Sequence, residues 1–254
     1  MTGKLQKKAA ECSIICGIMA MVHKNQLRRS GIDMSVHISF KGKEGWQQHK
    51  SCHVGISLNN PNFSEENFGA VIDWLNQQNF QHCFFDLSDT LYRYNLVQTR
   101  GYTFEKAAAA SREMGDAWLA RNEENLARLK VPHHLTRWDA WLEHKDFPKH
   151  LAKFTRLFQG SLEFRHAVLT DIYNFRNRKQ ELLSPYDVGY LLEELSVLAL
   201  YFKNYPCLKI YPGKEQKILR LLRSGAIKGA PRSFRQIDYA QIWLHRENAG
   251  QKAA

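Results

Sequence analysis

This 254-residue chain carries little that points to metal, disulfide or membrane chemistry. Its five cysteines, Cys12, Cys16, Cys52, Cys83 and Cys207, form no CxxC pair and stand beside no histidine at zinc-ligand spacing. An odd, scattered set reads as free thiols in a reducing cytoplasm. His133 and His134 are adjacent, so their side chains diverge and chelate poorly. No metal and no cofactor are expected. The longest apolar run, residues 12–22 (CSIICGIMAMV), is too short to span a bilayer. It lacks a small-residue cleavage pattern, and His23, Lys24, Arg28 and Arg29 follow it at once. A buried strand or helix in an unprocessed, cytoplasmic chain without membrane association is expected there. Repeats and low-complexity linkers are also missing. The expectation is one domain over residues 1–254, monomeric, with loose ends at about 1–10 and 247–254.

Acidic residues are scarce too. The formal net charge is +11 and the pI about 9.4. That balance suggests a polyanionic partner, nucleic acid first and an anionic membrane second. The excess is local. Residues 203–235 hold nine basic side chains against Glu215 alone, and the first fifty residues hold nine against three acids. Residues 103–130 hold five of each sign. Hydrophobic residues make up 44%, enough for a packed core.

Alternation of Val36, Ile38 and Phe40 predicts a half-buried strand over residues 35–40. A second strand over 53–56, a helix to about 78 and a third strand over 82–87 make a βαβ unit, which favours a parallel sheet. Residues 103–130 read as one helix without proline, stopped by Pro132; 135–142 and 147–175 read as helical. Ser184-Pro185-Tyr186-Asp187 is a helix start, with an N-cap serine, proline at the first helical position and an acid in the first turn. A short strand over 207–211 and an amphipathic helix over 214–223 follow. The fold class is α/β: one Rossmann-like domain, mostly parallel, with helices on both faces.

The stretch 53–67, HVGISLNNPNFSEEN, organises the rest. It delivers Ser57 where a strand ends and a turn feeds a helix capped by Ser64, with Glu65 and Glu66 behind. That edge is where ligands bind in open α/β sheets, although many loop serines there are structural. Later, Tyr190 and Glu194 stand four apart in the capped helix, on one face that is otherwise apolar. Glu193 points about 60° from Tyr190 and reads as a solvated surface charge.

Gly55-Ile56-Ser57, a loop asparagine, a Phe-Ser pair, a helix bearing Trp74, and then FFDLSD at 84–89 together resemble the first half of the tRNA-dependent cyclodipeptide synthases. Tyr190-x-x-x-Glu194 and the late Tyr211 resemble the second half, in the same order, across roughly 54–223. One subfamily has proline after the late tyrosine, which Tyr211-Pro212 matches; Asn60 looks more like the other. The resemblance implies a fold like the catalytic domain of class I aminoacyl-tRNA synthetases. It implies an aminoacyltransferase that uses two aminoacyl-tRNAs in sequence and makes a cyclic dipeptide through aminoacyl- and dipeptidyl-Ser57. Tyr190 and Glu194 would hold the amino group, Glu194 would help move a proton, and Tyr211 would assist ring closure. His53, Gly55 and Asp86 would wall the first amino-acid pocket, Asn177 and Arg178 match a pair lining the second, and Asn60 and Pro212 would flank the substrate.

Acyl transfer from one ester to another requires no ATP and no metal. A serine still needs activation. His53 is four residues, some 13 Å, from Ser57 and out of reach. Backbone N–H groups at Leu58 to Asn60 and the Asn60 amide are candidates for steadying the oxyanion. His53 and Asp86 are polar walls, which points to a small or polar first residue. The charge distribution places the tRNA footprint on Lys214, Lys217, Arg220 and Arg223 with the N-terminal lysines. Two alternatives stand beside this reading. A non-catalytic tRNA- or RNA-binding module fits the composition. A serine hydrolase fits Ser57, but residues 55–59 (GISLN) lack the final glycine of a nucleophile elbow and no acid–histidine pair is evident.

Overall fold

The computed structural model describes residues 34–41, 45–179, 183–205 and 207–248. The apolar run at 12–22 and the N-terminal lysines lie outside these residues. The chain divides into two compact units, residues 1–35 with 246–254, and Val36–His245. The helices and the central strands belong to the second.

Strands are β1 (Met34–Lys41), β2 (Ser51–Ile56), β3 (His82–Leu87), β4 (His133–Arg137), β5 (Leu208–Tyr211) and β6 (Asp238–Asn248). Helices are α1 (Glu65–Leu75), α2 (Arg93–Arg100), α3 (Phe104–Ala127), α4 (Trp138–Leu142), α5 (Phe147–Gly160), α6 (Leu162–Lys179), α7 (Pro185–Asn204) and α8 (Lys217–Ser224). The sheet order is β1-β6-β5-β2-β3-β4. Pairings β2–β3, β2–β5, β3–β4 and β5–β6 are all parallel. The chain winds outward from β2 through β3 to β4, then returns to the other side of β2 as β5 and β6. The switch point lies between β2 and β5, where open α/β sheets leave a crevice at their carboxyl edge.

Strand residues alternate between two faces. Cys52, Val54 and Ile56 of β2, Cys83, Phe85 and Leu87 of β3, Leu208 and Ile210 of β5, and Ala240 and Ile242 of β6 enter one apolar core. Phe68, Val71, Ile72 and Leu75 of α1 and Trp118 of α3 cover it. Helices α4 to α8 form a second core around Phe154, Phe164, Leu195, Leu198, Phe202 and Phe234. The Rossmann-like layering with helices on both faces is therefore observed.

Local chemistry sets the helix starts. The Ser64 hydroxyl accepts from the Asn67 amide, with Glu65 and Glu66 in the first turn of α1. Ser184 and Asp187 close a reciprocal capping box on α7: Oγ accepts from the Tyr186 amide and the Asp187 carboxylate accepts from the Ser184 amide at 2.8 Å. Two helical readings need correction, and one strand adds to the expected set. Residues 133–137 are a strand; pairing with the edge of β3 outweighs local helical preference, and the helix starts only at Trp138. The helix expected over 147–175 breaks at Ser161, whose backbone is extended and whose hydroxyl accepts from the Phe164 amide. Strand β6 is not apparent in the sequence, because its Ala240/Ile242 alternation is short and makes sense only against β5.

Candidate active site

The other sheet face carries the polar residues. His53, Gly55 and Ser57 share it on β2 and the loop that follows. The register places Lys209 beside His53, and Asp86 beside Gly55. Tyr211 follows Lys209 two residues on and shares its face. Ser57 and Tyr211 meet across the switch point: their hydroxyls are 3.2 Å apart and either one is able to donate. The Asn60 amide donates to the Tyr211 oxygen at 3.3 Å, and the Asn60 carbonyl accepts from the Asn62 amide. Asn62 Nδ2 donates to the carbonyl of buried Pro212, tying this loop to the turn after β5. Asn59, in the left-handed region at φ 56°, turns the chain and donates to the Tyr92 hydroxyl. Asn60 therefore bonds the tyrosine in this structure.

Helix α7 crosses this face with Tyr190 and Glu194. Burial, reinforced by the nearby Glu194 and Tyr211, pushes the Tyr190 phenol well above its ordinary value. Burial also raises the Glu194 carboxyl, against the opposing pull of Lys209 and the Gln216 amide. Ser57, Tyr211, Tyr190 and Glu194 are thus brought to one crevice from β2, β5 and α7.

His53 and Asp86 stand below them and face each other, an acid–histidine pair that the sequence, with the two residues 33 apart on neighbouring strands, did not make evident. His53 Nε2 lies 2.8 Å from Asp86, whose other oxygen accepts from Trp141 Nε1 at 3.1 Å. The His53 ring packs on Tyr201, with centroids 4.3 Å apart. Burial, with Lys209 adding to it, lowers the His53 pKa below the usual range despite Asp86. Gly55 leaves the space above this pair open. A Cβ there would sit 3.7 Å from His53 Cε1 and 3.7 Å from Lys209 Nζ. Lys209 is the residue that sequence reasoning missed. The signal was a lysine between Leu208 and Ile210 in a buried strand, on the same side as Tyr211.

Several expected positions lie elsewhere. Glu193 is not a solvated charge: it is 2% exposed. It accepts from both Arg93 terminal nitrogens, from the Tyr94 hydroxyl at 3.0 Å and from Trp138 Nε1 at 2.9 Å. Helix α7 is enclosed on that side as well, so a 60° rotation leads into another packed surface. Asn177 is exposed on α6, and Arg178 lies on the same helix with its side chain outside the described residues. The neighbouring Arg176 is the buried one, paired with Asp187 and donating to Gln98. Arg223 is no free surface cation. It pairs with Glu215 and Asp238, and its Nε donates to the Ile237 carbonyl. Lys214 and Arg220 are exposed and Lys217 is half-buried. A separate groove of about 570 Å³ is lined by Lys149, Lys153, Arg156 and Lys228 and shares no residue with the crevice. Among the described residues no His, Cys, Asp or Glu cluster fits a metal, and no helix is long and apolar enough to cross a membrane.

The fold has counterparts among solved structures. The cyclodipeptide synthase of Fluoribacter dumoffii superposes with a TM-score of 0.73 at 22% identity, over 84% of this chain and 100% of that one. The chain carries the cyclodipeptide synthase fold. The synthase of Candidatus Glomeribacter gigasporarum, solved bound to Phe-tRNAPhe, shares that fold at TM-score 0.60 and 17% identity, over 80% and 90% of the two chains. A Mycobacterium tuberculosis protein described as showing that cyclodipeptide synthetases are related to type I tRNA synthetases shares it at 0.65 and 11%, over 82% and 94%. No protein-family model and no curated protein matches the sequence.

Proposed function

We propose that the protein is a tRNA-dependent cyclodipeptide synthase. The observation that carries this reading is the Ser57–Tyr211 hydroxyl pair at the switch point, with Tyr190 and Glu194 of α7 in the same crevice. The fold shared with a synthase solved on an aminoacyl-tRNA supports it. In the first step Ser57 Oγ attacks the ester carbonyl of an aminoacyl-tRNA. The bond to the ribose oxygen breaks, and the serine proton leaves with that oxygen. The α-amine of the Ser57-bound residue then attacks the ester of a second aminoacyl-tRNA, leaving a dipeptide on Ser57. The free amine of that dipeptide attacks the serine ester, closing the six-membered ring and returning the hydroxyl.

Tyr211 is placed to relay the proton to and from Ser57, with Asn60 holding the phenol. Glu194 binds the α-amino group beside Tyr190. Its raised pKa brings the carboxylate closer to neutral pH, where proton transfer from an attacking amine is most effective. Exposed Lys214 and Arg220, and the cation-lined groove of Lys149, Lys153, Arg156 and Lys228, offer phosphate contacts for the tRNA. The polar walls His53 and Asp86 fit a first residue that is not a large apolar one. The enzyme acts as a cytoplasmic monomer on this reading.

The test is intact-protein mass spectrometry after incubation with a mixture of charged tRNAs. An acyl adduct on Ser57 and diketopiperazine in the filtrate are expected, and Ser57→Ala should show neither. Diketopiperazine production by the alanine variant would refute the assignment.

A further inference from the structure

Lys209 is not explained by the acyl chemistry. It is 7% exposed, yet its ammonium makes no hydrogen bond and no ion pair among the described residues. Its charge faces Asp86 and Glu194 at longer range, and both carboxylates have nearer partners: the two Asp86 oxygens are engaged by His53 and Trp141, and Glu194 stands beside Tyr190. Its contact with the Tyr211 ring is distant, at 5.9 Å. Burial lowers the Lys209 pKa, as expected for an ammonium removed from water without a close partner.

The place where Lys209 ends is defined by Gly55. The lysine Nζ lies 3.7 Å from the position a Gly55 Cβ would take, facing His53 Cε1 at the same distance. Gly55 is itself partly exposed in mid-sheet, although β2 has a neighbour on each side. The space above it is therefore not filled by a helix. Gly55 precedes Ser57 by two residues, roughly 7 Å along the strand on the same face. An aminoacyl group esterified to Ser57 would lay its side chain into this space and end at the ammonium.

We propose that Lys209 is a specificity-determining residue and that the first aminoacyl group bears a hydrogen-bond acceptor oxygen on its side chain, a carboxamide or a carboxylate. This rests on the synthase reading. Lys209 Nζ donates to that oxygen, completing the ammonium's missing partner. Lysyl and arginyl groups are repelled by the same charge. Leucyl and methionyl groups leave the ammonium dry and unpaired, a loss that sites built for a polar side chain do not recover. His53 holds the floor: with Nε2–H given to Asp86, its buried and unpartnered Nδ1 is an acceptor, so this tautomer offers no donor toward the space.

The experiment measures initial rates of Ser57 acylation by intact mass, using tRNAs charged singly with glutamine, glutamate, asparagine, methionine, leucine or lysine. Glutamine and methionine are near-isosteres, so their ratio isolates the acceptor oxygen. We expect the better of glutaminyl and glutamyl to exceed methionyl by about 100-fold, with lysyl undetectable. The glutaminyl-to-glutamyl ratio distinguishes carboxamide from carboxylate. Lys209→Met should bring the ratio to methionyl within about fivefold of unity. Gly55→Ala places a methyl group at ordinary contact distance from its neighbours and should retain the fold. It should slow the long polar groups at least tenfold. Methionyl equal to or faster than both glutaminyl and glutamyl in the wild type, or an unchanged ratio in Lys209→Met, would overturn the role of Lys209 while leaving the synthase reading intact. Acylation by none of the six, nor by a complete mixture of charged tRNAs, would overturn the synthase reading and this inference with it.

Discussion

The two faces of one sheet differ in every respect except their backbone. On β2 the residues Cys52, Val54 and Ile56 are sealed under α1 and α3, while His53, Gly55 and Ser57, one step out of phase, line a polar crevice under α7. On β5 Leu208 and Ile210 join the same apolar core, while Lys209 and Tyr211 join the crevice. A period of two lets a strand stabilise the fold with one half of its residues and hold reactive groups with the other. Fold and function are separable here by parity, and substitutions on the two faces should fail in different ways.

Ser57→Ala, on the polar face, should abolish acyl transfer while moving stability by no more than about 0.5 kcal/mol, read by product assay and by thermal melting. Glu193→Ala, adjacent to the site but engaged by Arg93, Tyr94 and Trp138, should cost about 2–4 kcal/mol, because it strands a partly buried guanidinium and unpairs the Trp138 N–H. A melting temperature within about 2 °C of wild type would show that this network is not what seats α7. Ile56→Ala, beside Ser57 in sequence but on the sealed face, should cost about 2–5 kcal/mol in urea denaturation, with the acylation rate per folded molecule unchanged. An equal loss of catalysis would erase the separation of faces.

Glu194→Gln sharpens the comparison through pH. The folded carboxyl titrates above its ordinary value of 4.5. Its protonated form is therefore favoured by folding, and the wild type loses stability as pH rises through the folded pKa. The glutamine variant lacks that loss, so its melting temperature relative to wild type should rise between pH 4 and pH 8 while turnover falls. A constant difference across that range would argue against a raised pKa. The smallest effect is expected outside the crevice. Arg220→Glu should raise KM for charged tRNA several-fold and flatten its salt dependence, with kcat retained. An unchanged KM would remove α8 from the footprint.

Much of this site was legible because its signals are local. The alternation through residues 53–57, the serine at a strand end, and the capped start at 184–187 that carries Tyr190 and Glu194 all depend on near neighbours. The misses share a different cause. Residues 133–137 form a strand because the edge of β3 pairs with them, and β6 forms because β5 does. Glu193 and Arg223 looked like surface charges until Arg93, Trp138, Glu215 and Asp238 arrived from distant parts of the chain. The arginines near the end of α6 show the same limit, since Arg176 rather than Arg178 is the one shown buried against Asp187.

The amino-acid order alone determined which residues lie on which side of each strand, where helices begin, and that a hydroxyl stands at the end of β2, because these follow from backbone geometry over a few residues. Only tertiary structure decided that Glu193 is buried among Arg93, Tyr94 and Trp138 rather than solvated, which arginines are neutralised, and that a lysine from β5 ends above Gly55. Those outcomes depend on groups far apart in sequence being desolvated together, and desolvation is a property of the packed molecule.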